Sequence, residues 1–185
     1  MSVSDRTINI APETMTVGFY ADATELGRSM WPSGEWDAED FDWGVWTDAE
    51  TGFQCSIRRN HSGSWCGYVL IDQEHPLNAS RPDSDTYGGD LTAGNPVWLE
   101  VHGGVTFHGI WSLSEANLSG WAVGFDCNHA FDENPRYSRD GRFPSNGEYR
   151  TFPYVIEEVR RLAKQISEYE PLKQLVSGPE TQQEV

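Results

Sequence analysis

The sequence predicts an α+β domain: an antiparallel β-sheet of five or more strands with a C-terminal α-helix packed on one face. Three patterns predict it. Between residues 52 and 126, short runs alternate apolar and polar side chains with the two-residue period of a strand. Turn sequences such as Asn60-His61-Ser62-Gly63 and Gly103-Gly104 separate several of these runs. From Pro153 to Tyr169 the apolar spacing changes to that of an amphipathic helix.

Residues 1–16 are polar and read as a loose arm. From Val17 to Trp46 the chain is dense in aromatics and acids and is broken by Pro32, Gly34 and Gly44. Turns and short elements are expected there, with the aromatics covering one edge of the core. Gly52–Asn60 and Ser64–Asp72 read as a strand pair. Both faces of the second run are apolar, with Trp65, Gly67, Val69 and Ile71 against Cys66, Tyr68 and Leu70, so it is expected at the centre of the sheet. Residues 73–96 are long, polar and rich in Pro, Gly, Asp and Ser, the composition of a functional loop or lid.

Val97–His102, Val105–Trp111 and Gly120–Asp126 supply three more strands. In the last, Trp121, Val123 and Phe125 share one face, and Ala122, Gly124 and Asp126 the other. A second polar loop, Asn128–Gly147, carries Arg136, Arg139 and Arg142. The helix follows over about 153–169, with Thr151 as N-cap and Val155, Val159, Leu162, Ala163 and Ile166 as its buried stripe. The expected organisation is one domain over 17–169, between the arm and a polar tail at 170–185.

The chain has 185 residues and a formal net charge of −16. The length suits one domain, and the charge repels the phosphate backbone, so polymeric nucleic acid is not an expected partner. Solubility is the plain reading of the acidity; mimicry of nucleic acid would need one long acidic stripe, and the acids instead cluster before residue 50, around residues 83–90 and near the C-terminus. Neither a signal-type segment nor an apolar run of membrane-span length is visible. The expected setting is cytoplasm with reduced thiols, where Cys55, Cys66 and Cys127 stay unpaired. No Walker loop, GxGxxG, HExxH or GxSxG pattern is found.

Chemistry-bearing residues gather in two motifs. In the first, Glu100 and His102 share one face of a strand and precede Gly103-Gly104, whose backbone N–H groups could receive an anion. A tight hairpin with a surface histidine is the plainer alternative. In the second, Asp126-Cys127-Asn128-His129 is followed by Asp132. An aspartate that orients a histidine suits general acid–base catalysis, and His102, Asp126 and His129 are the expected catalytic set. A polar turn closed by Asp126 is its plainer alternative. The same groups could hold a divalent metal, although no cofactor is required by the pattern. His75 before Pro76, Asp132 and Arg136 are expected to contribute to ligand binding alongside Glu100, Gly103 and Gly104. Cys127 beside Asp126 is a poor thiolate.

"WCGYVLIDQEHPL" (65–77), "VHGGVTF" (101–107), "WAVGFDCNHAFD" (121–132) and "YRTFPYVIEEVRRLAKQI" (149–166) resemble, in this order and spacing, a group of small proteins encoded by bacteriophages and prophages. The resemblance implies a phage accessory protein of the infected cell's cytoplasm, with His75, His102, Gly103, Gly104, Asp126, Cys127, His129 and Asp132 at its motif positions. Together with the aromatics and the arginine-bearing loop, it leads to an expected small anionic, nucleotide-type ligand, an immune signal that the protein hydrolyses or sequesters. A hydrolase would use His102 as base and His129, oriented by Asp126, as acid; a sponge would bind without turnover. The rivals are an acidic inhibitor that docks on a host enzyme and a virion accessory protein without a ligand. Self-association is left open by the sequence.

Overall fold

The computed structural model describes residues 6–21, 26–79, 99–138 and 147–169. Seven strands form one antiparallel sheet, in the spatial order β1 (Arg6–Ile10), β2 (Glu13–Gly18), β3 (Trp43–Thr47), β4 (Gln54–Arg59), β5 (Trp65–Ile71), β7 (Leu118–Asp126) and β6 (Phe107–Leu113). Two short strands, β8 (Asp132–Glu133) and β9 (Glu148–Tyr149), pair in parallel beside it. One helical turn, α1 (Pro76–Ala79), follows β5, and the long helix α2 (Phe152–Ser167) packs on β4 and β5. The α+β class is as the sequence predicts.

Strand β5 is buried along its whole length, as its two apolar faces require. Trp65, Val69 and Ile71 join Val123 and Phe125 of β7 under the α2 stripe Val155, Val159, Leu162, Ala163 and Ile166. On the opposite face Cys66, Tyr68 and Leu70 pack with Trp43, Trp111 and Ala122. Gly67 sets the helix-to-sheet distance: a Cβ there would stand 2.5 Å from both Phe125 and Val159.

Three expectations are corrected. Residues 6–16, read as part of an arm, instead form β1, the sheet edge, and most of β2: Met15 and Val17 are wholly buried, and Thr14 and Thr16, which alternate with them, are not. Leu99–His102 is not a strand of the sheet. It lies along α2, where the Gln165 side chain accepts from the Glu100 N–H at 2.7 Å and donates to the Glu100 carbonyl at 2.8 Å, and the Glu158 carboxylate accepts from the His102 N–H at 2.7 Å. Thr151 occupies the N-cap position without a capping side-chain bond; the first helical N–H, of Phe152, is instead accepted by the Glu39 carboxylate at 2.9 Å. The expected lid beyond residue 79, residues 97 and 98, and the tail 170–185 lie outside the described residues.

Glu39 is the hub of a buried polar network. Its Oε2 accepts from Arg59 Nη2 at 2.5 Å, Trp65 Nε1 at 2.8 Å and the Tyr149 hydroxyl at 2.5 Å. Arg59 also donates to the Gly63 carbonyl and to the Tyr149 oxygen, and its guanidinium lies 4.3 Å from the Trp65 ring centroid. The ion pair is nearly inaccessible, with side-chain exposures of 0% for Arg59 and 4% for Glu39. Asp42 and Asp48 are buried too, so part of the acidity before residue 50 is structural. Arg28 binds the Asp42 carboxylate at 2.7 Å and donates to the Glu39 and Phe41 carbonyls, which fastens the 39–42 segment. Removing one partner of a buried pair strands the other charge. Arg59→Ala is therefore expected to lower unfolding free energy by about 3–5 kcal/mol in urea titration; a loss under about 1 kcal/mol contradicts this account.

His108 on β6 is buried at 1% exposure, edge-on to Trp121 with ring centroids 5.0 Å apart. Neither ring nitrogen has a hydrogen-bond partner among the described residues. Burial favours the neutral ring and lowers its pKa from 6.5 to about 4. The unfolded chain therefore takes up this proton first as pH falls. The stability it confers is complete above about 6.5 and is lost towards about 4. His108→Leu is expected to remove on the order of 2 kcal/mol of acid sensitivity across that window, read from denaturation midpoints against pH. An unchanged pH slope would show that the ring is solvated.

Candidate functional site

The chain leaves β7 at Asp126, and Cys127 turns back under the sheet into the core beneath α2. His129 and Asp132 follow on the turn that ends in β8. Pairing of β8 with β9 brings the next stretch of chain, Arg150 to Glu158, alongside. From the other direction, the docking of residues 100–102 on α2 delivers His102.

Two histidines converge on one carboxylate. His102 Nε2 lies 2.8 Å from Asp132 Oδ2, and His129 Nδ1 lies 3.5 Å from the same oxygen. The His129 backbone N–H donates to that oxygen at 3.0 Å, and Arg150 Nε donates to Oδ1 at 3.1 Å. His102 Nδ1 meets the Tyr154 hydroxyl at 3.0 Å, and the Arg150 guanidinium sits over the Tyr154 ring. One ligand-type atom from each of His102, His129 and Asp132 falls within 4.8 Å of the others.

Burial works to raise the Asp132 carboxyl, but the bonds from His102, the His129 N–H and Arg150 outweigh it and hold it below the usual carboxylate range. Asp132 is therefore an anion at neutral pH, with a side-chain exposure of 3%. Burial raises the Tyr154 hydroxyl, which keeps it protonated. Arg150 also pairs with Glu148 at 2.7 Å.

Gly103 makes the convergence possible. Its φ is +64°, and a Cβ there would stand 2.1 Å from His129 Cε1. The His129 ring occupies the space that any other residue would fill. Gly104 also has positive φ, +87°, but a Cβ there meets nothing within 4 Å. Its N–H is taken by the Val101 carbonyl at 2.9 Å, so it is not the free anion donor expected from the motif.

A cavity of about 460 Å³ opens beside His129 and Asp132, with Phe131, Asn134 and Tyr137 on its walls. Phe131 is 77% exposed and holds φ at +77°, a conformation that costs a bulky residue energy and recurs at functional sites. The side chain of His129 is one-third exposed, whereas that of His102 is mostly buried.

The remaining expected residues are placed elsewhere. Asp126 does not orient His129: it faces the other side of the sheet, where it accepts from the Thr106 hydroxyl at 2.7 Å and the Asn128 N–H at 3.0 Å. It lines a separate cavity there with Arg58, Tyr68 and Phe107. Its plainer role, closing a polar turn, is the one its contacts fit. Glu100 is exposed and is held through its backbone. His75 packs edge-on to Phe53 and accepts from the Leu77 N–H at 3.2 Å, away from the histidine pair. Arg136 donates to the His61 and Ser62 carbonyls of the β4–β5 hairpin. Arg139 and Arg142 lie outside the described residues. Burial pushes the Cys127 thiol up, which removes it as a nucleophile. Arg150, Tyr154 and Glu158 were not expected; their signal is the polar face of α2 and the residues before it, facing a His-x-x-Asp turn.

Comparison with known proteins finds no matching family model, curated protein or solved structure.

Gly103→Ala and Gly104→Ala separate backbone strain from ring displacement. Both incur a left-handed-region cost of about 1–2 kcal/mol, and Gly103→Ala is expected to lose more because His129 must move. Equal urea midpoints for the two variants would mean that the His129 ring does not rest on Gly103.

Proposed function

We propose that this protein is a phage accessory protein that hydrolyses, or failing turnover sequesters, a small anionic nucleotide-type signal of host defence at the His102–His129–Asp132 centre. The observation that carries the reading is the convergence of two imidazoles on one buried carboxylate at the edge of a cavity. Titratable groups gathered on a perturbed carboxylate beside a cavity are the arrangement that general acid–base chemistry and ligation use.

His129 is the ring at the cavity edge, and Asp132 orients it. His102 has both ring nitrogens engaged, so it positions Asp132 rather than meeting a ligand. The sequence reading instead made His102 the base and His129, oriented by Asp126, the acid. In hydrolysis of a phosphodiester, the water oxygen bonds phosphorus, the ester P–O bond breaks, and the water's proton passes by way of the centre to the leaving oxygen. Phe131 and Tyr137 offer aromatic faces on which a base can stack. A cavity of about 460 Å³ suits a small molecule and not a polymer. The motif resemblance to phage proteins supplies the biological setting.

The test is mass spectrometry of the purified protein with a panel of cyclic dinucleotides and NAD-derived nucleotides, with and without added divalent cations. A new product mass that His129→Ala abolishes is the expected result. A ligand that disappears on mixing and returns unchanged on heating supports sequestration. No product and no capture across the panel would overturn the reading and favour the protein-docking inhibitor.

A further inference from the structure

The geometry points to a divalent transition-metal site formed by His102 Nε2, His129 Nδ1 and Asp132 Oδ2, with a borderline ion such as zinc as its occupant. This rests on the hydrolytic reading of the same centre and changes two parts in it: the ion holds the water that loses its proton, and His102 gives up its bond to Asp132 to hold the ion together with His129 and Asp132.

Four observations carry it. First, the donor set is two imidazoles and one carboxylate with their ligand atoms within 4.8 Å of one another, the composition of metal sites that keep open positions for water or substrate. Second, His129 Nδ1 is buried yet has no hydrogen-bond partner, although it faces Asp132 Oδ2 at 3.5 Å. No hydrogen bond commits this nitrogen to carrying the ring proton, and with the proton on Nε2 its lone pair can take a cation shared with the carboxylate opposite.

Third, the surrounding contacts are those that orient metal ligands. The second nitrogen of His102 is held by the Tyr154 hydroxyl, and the second oxygen of Asp132 by Arg150. The main chain carrying His102 is tied to Glu158. Fourth, no lysine or arginine lines the cavity among the described residues. Arg136 is turned to the β4–β5 hairpin, and Arg150 is held by Asp132 and Glu148. A cation at the centre supplies the positive charge that an anionic ligand needs beside an acidic surface. For a phosphodiester, the bound water's oxygen attaches to phosphorus, the ester P–O bond breaks, and the proton ends on the leaving oxygen. The cysteines do not compete for the ion, being buried in the core clusters.

The experiment uses the full chain, stripped with chelator, then titrated with Zn2+ by calorimetry and with Co2+ by visible absorption. One ion per chain is expected, with ligand-field bands from Co2+ in a nitrogen–oxygen set. His129→Ala, whose ring is partly exposed, and Asp132→Asn are expected to weaken Zn2+ by about 100-fold or more, and Tyr154→Phe by about 10-fold. His75→Ala leaves the affinity unchanged. Absence of one-per-chain binding, or equal affinity in wild type and His129→Ala, would overturn the site. If Zn2+ binds as described but the nucleotide panel gives neither product nor capture, the metal site stands and the proposed substrate falls. If chelator-stripped protein turns over a nucleotide at the full rate, the metal site falls and the hydrolytic reading stands.

Discussion

The structure hangs on the buried ion pair of Glu39 and Arg59. Taking both charges out of water is expensive, and only a complete set of partners makes it tolerable. Glu39 has four donors: Arg59, Trp65, Tyr149 and the Phe152 N–H. These come from the β4–β5 hairpin, β9 and the start of α2, and Glu39 itself comes from the segment before β3. No apolar contact could join four such distant pieces with the same directional specificity. The network therefore fixes where the long helix begins and how it is rotated on the sheet.

The candidate centre inherits that placement. Between residues 149 and 154 the chain serves the anchor and the site in turn. Tyr149 and Phe152 bind Glu39, while Arg150 and Tyr154 bind Asp132 and His102. One turn further along, Glu158 holds the main chain at His102. A shift of the helix start would move Arg150, Tyr154 and Glu158 together. The histidine pair is thus preorganised by a network whose own members never touch it.

Much of the fold was legible because burial imposes a period. The two apolar faces of β5 read as a central strand, and the alternation in β7 correctly separated Phe125 from Asp126. The stripe from Val155 to Ile166 read as the buried face of a helix. What was not legible depended on contacts distant in sequence. Residues 6–18 carry so many polar side chains that only their pairing with β3 reveals them as an edge hairpin. Glu39 looks like any surface acid until its four donors are in view. The motifs located His102, His129 and Asp132, but proximity in sequence suggested Asp126 as the orienting carboxylate. The strand period puts Asp126 on the face away from α2, and the turn after Cys127 brings Asp132 to the histidines instead. Tyr154 joins them from the polar face of α2, where the sequence was read for its buried stripe alone.

The central claim is that one carboxylate, Asp132, organises both histidines. The measurement that tests it most directly is nitrogen-detected NMR of the imidazole rings in wild type and Asp132→Asn. The account predicts that the ring signals of His102 and His129 both move, while those of His61, His75 and His108 stay in place. Signals that move for only one of the pair, or for neither, would contradict it.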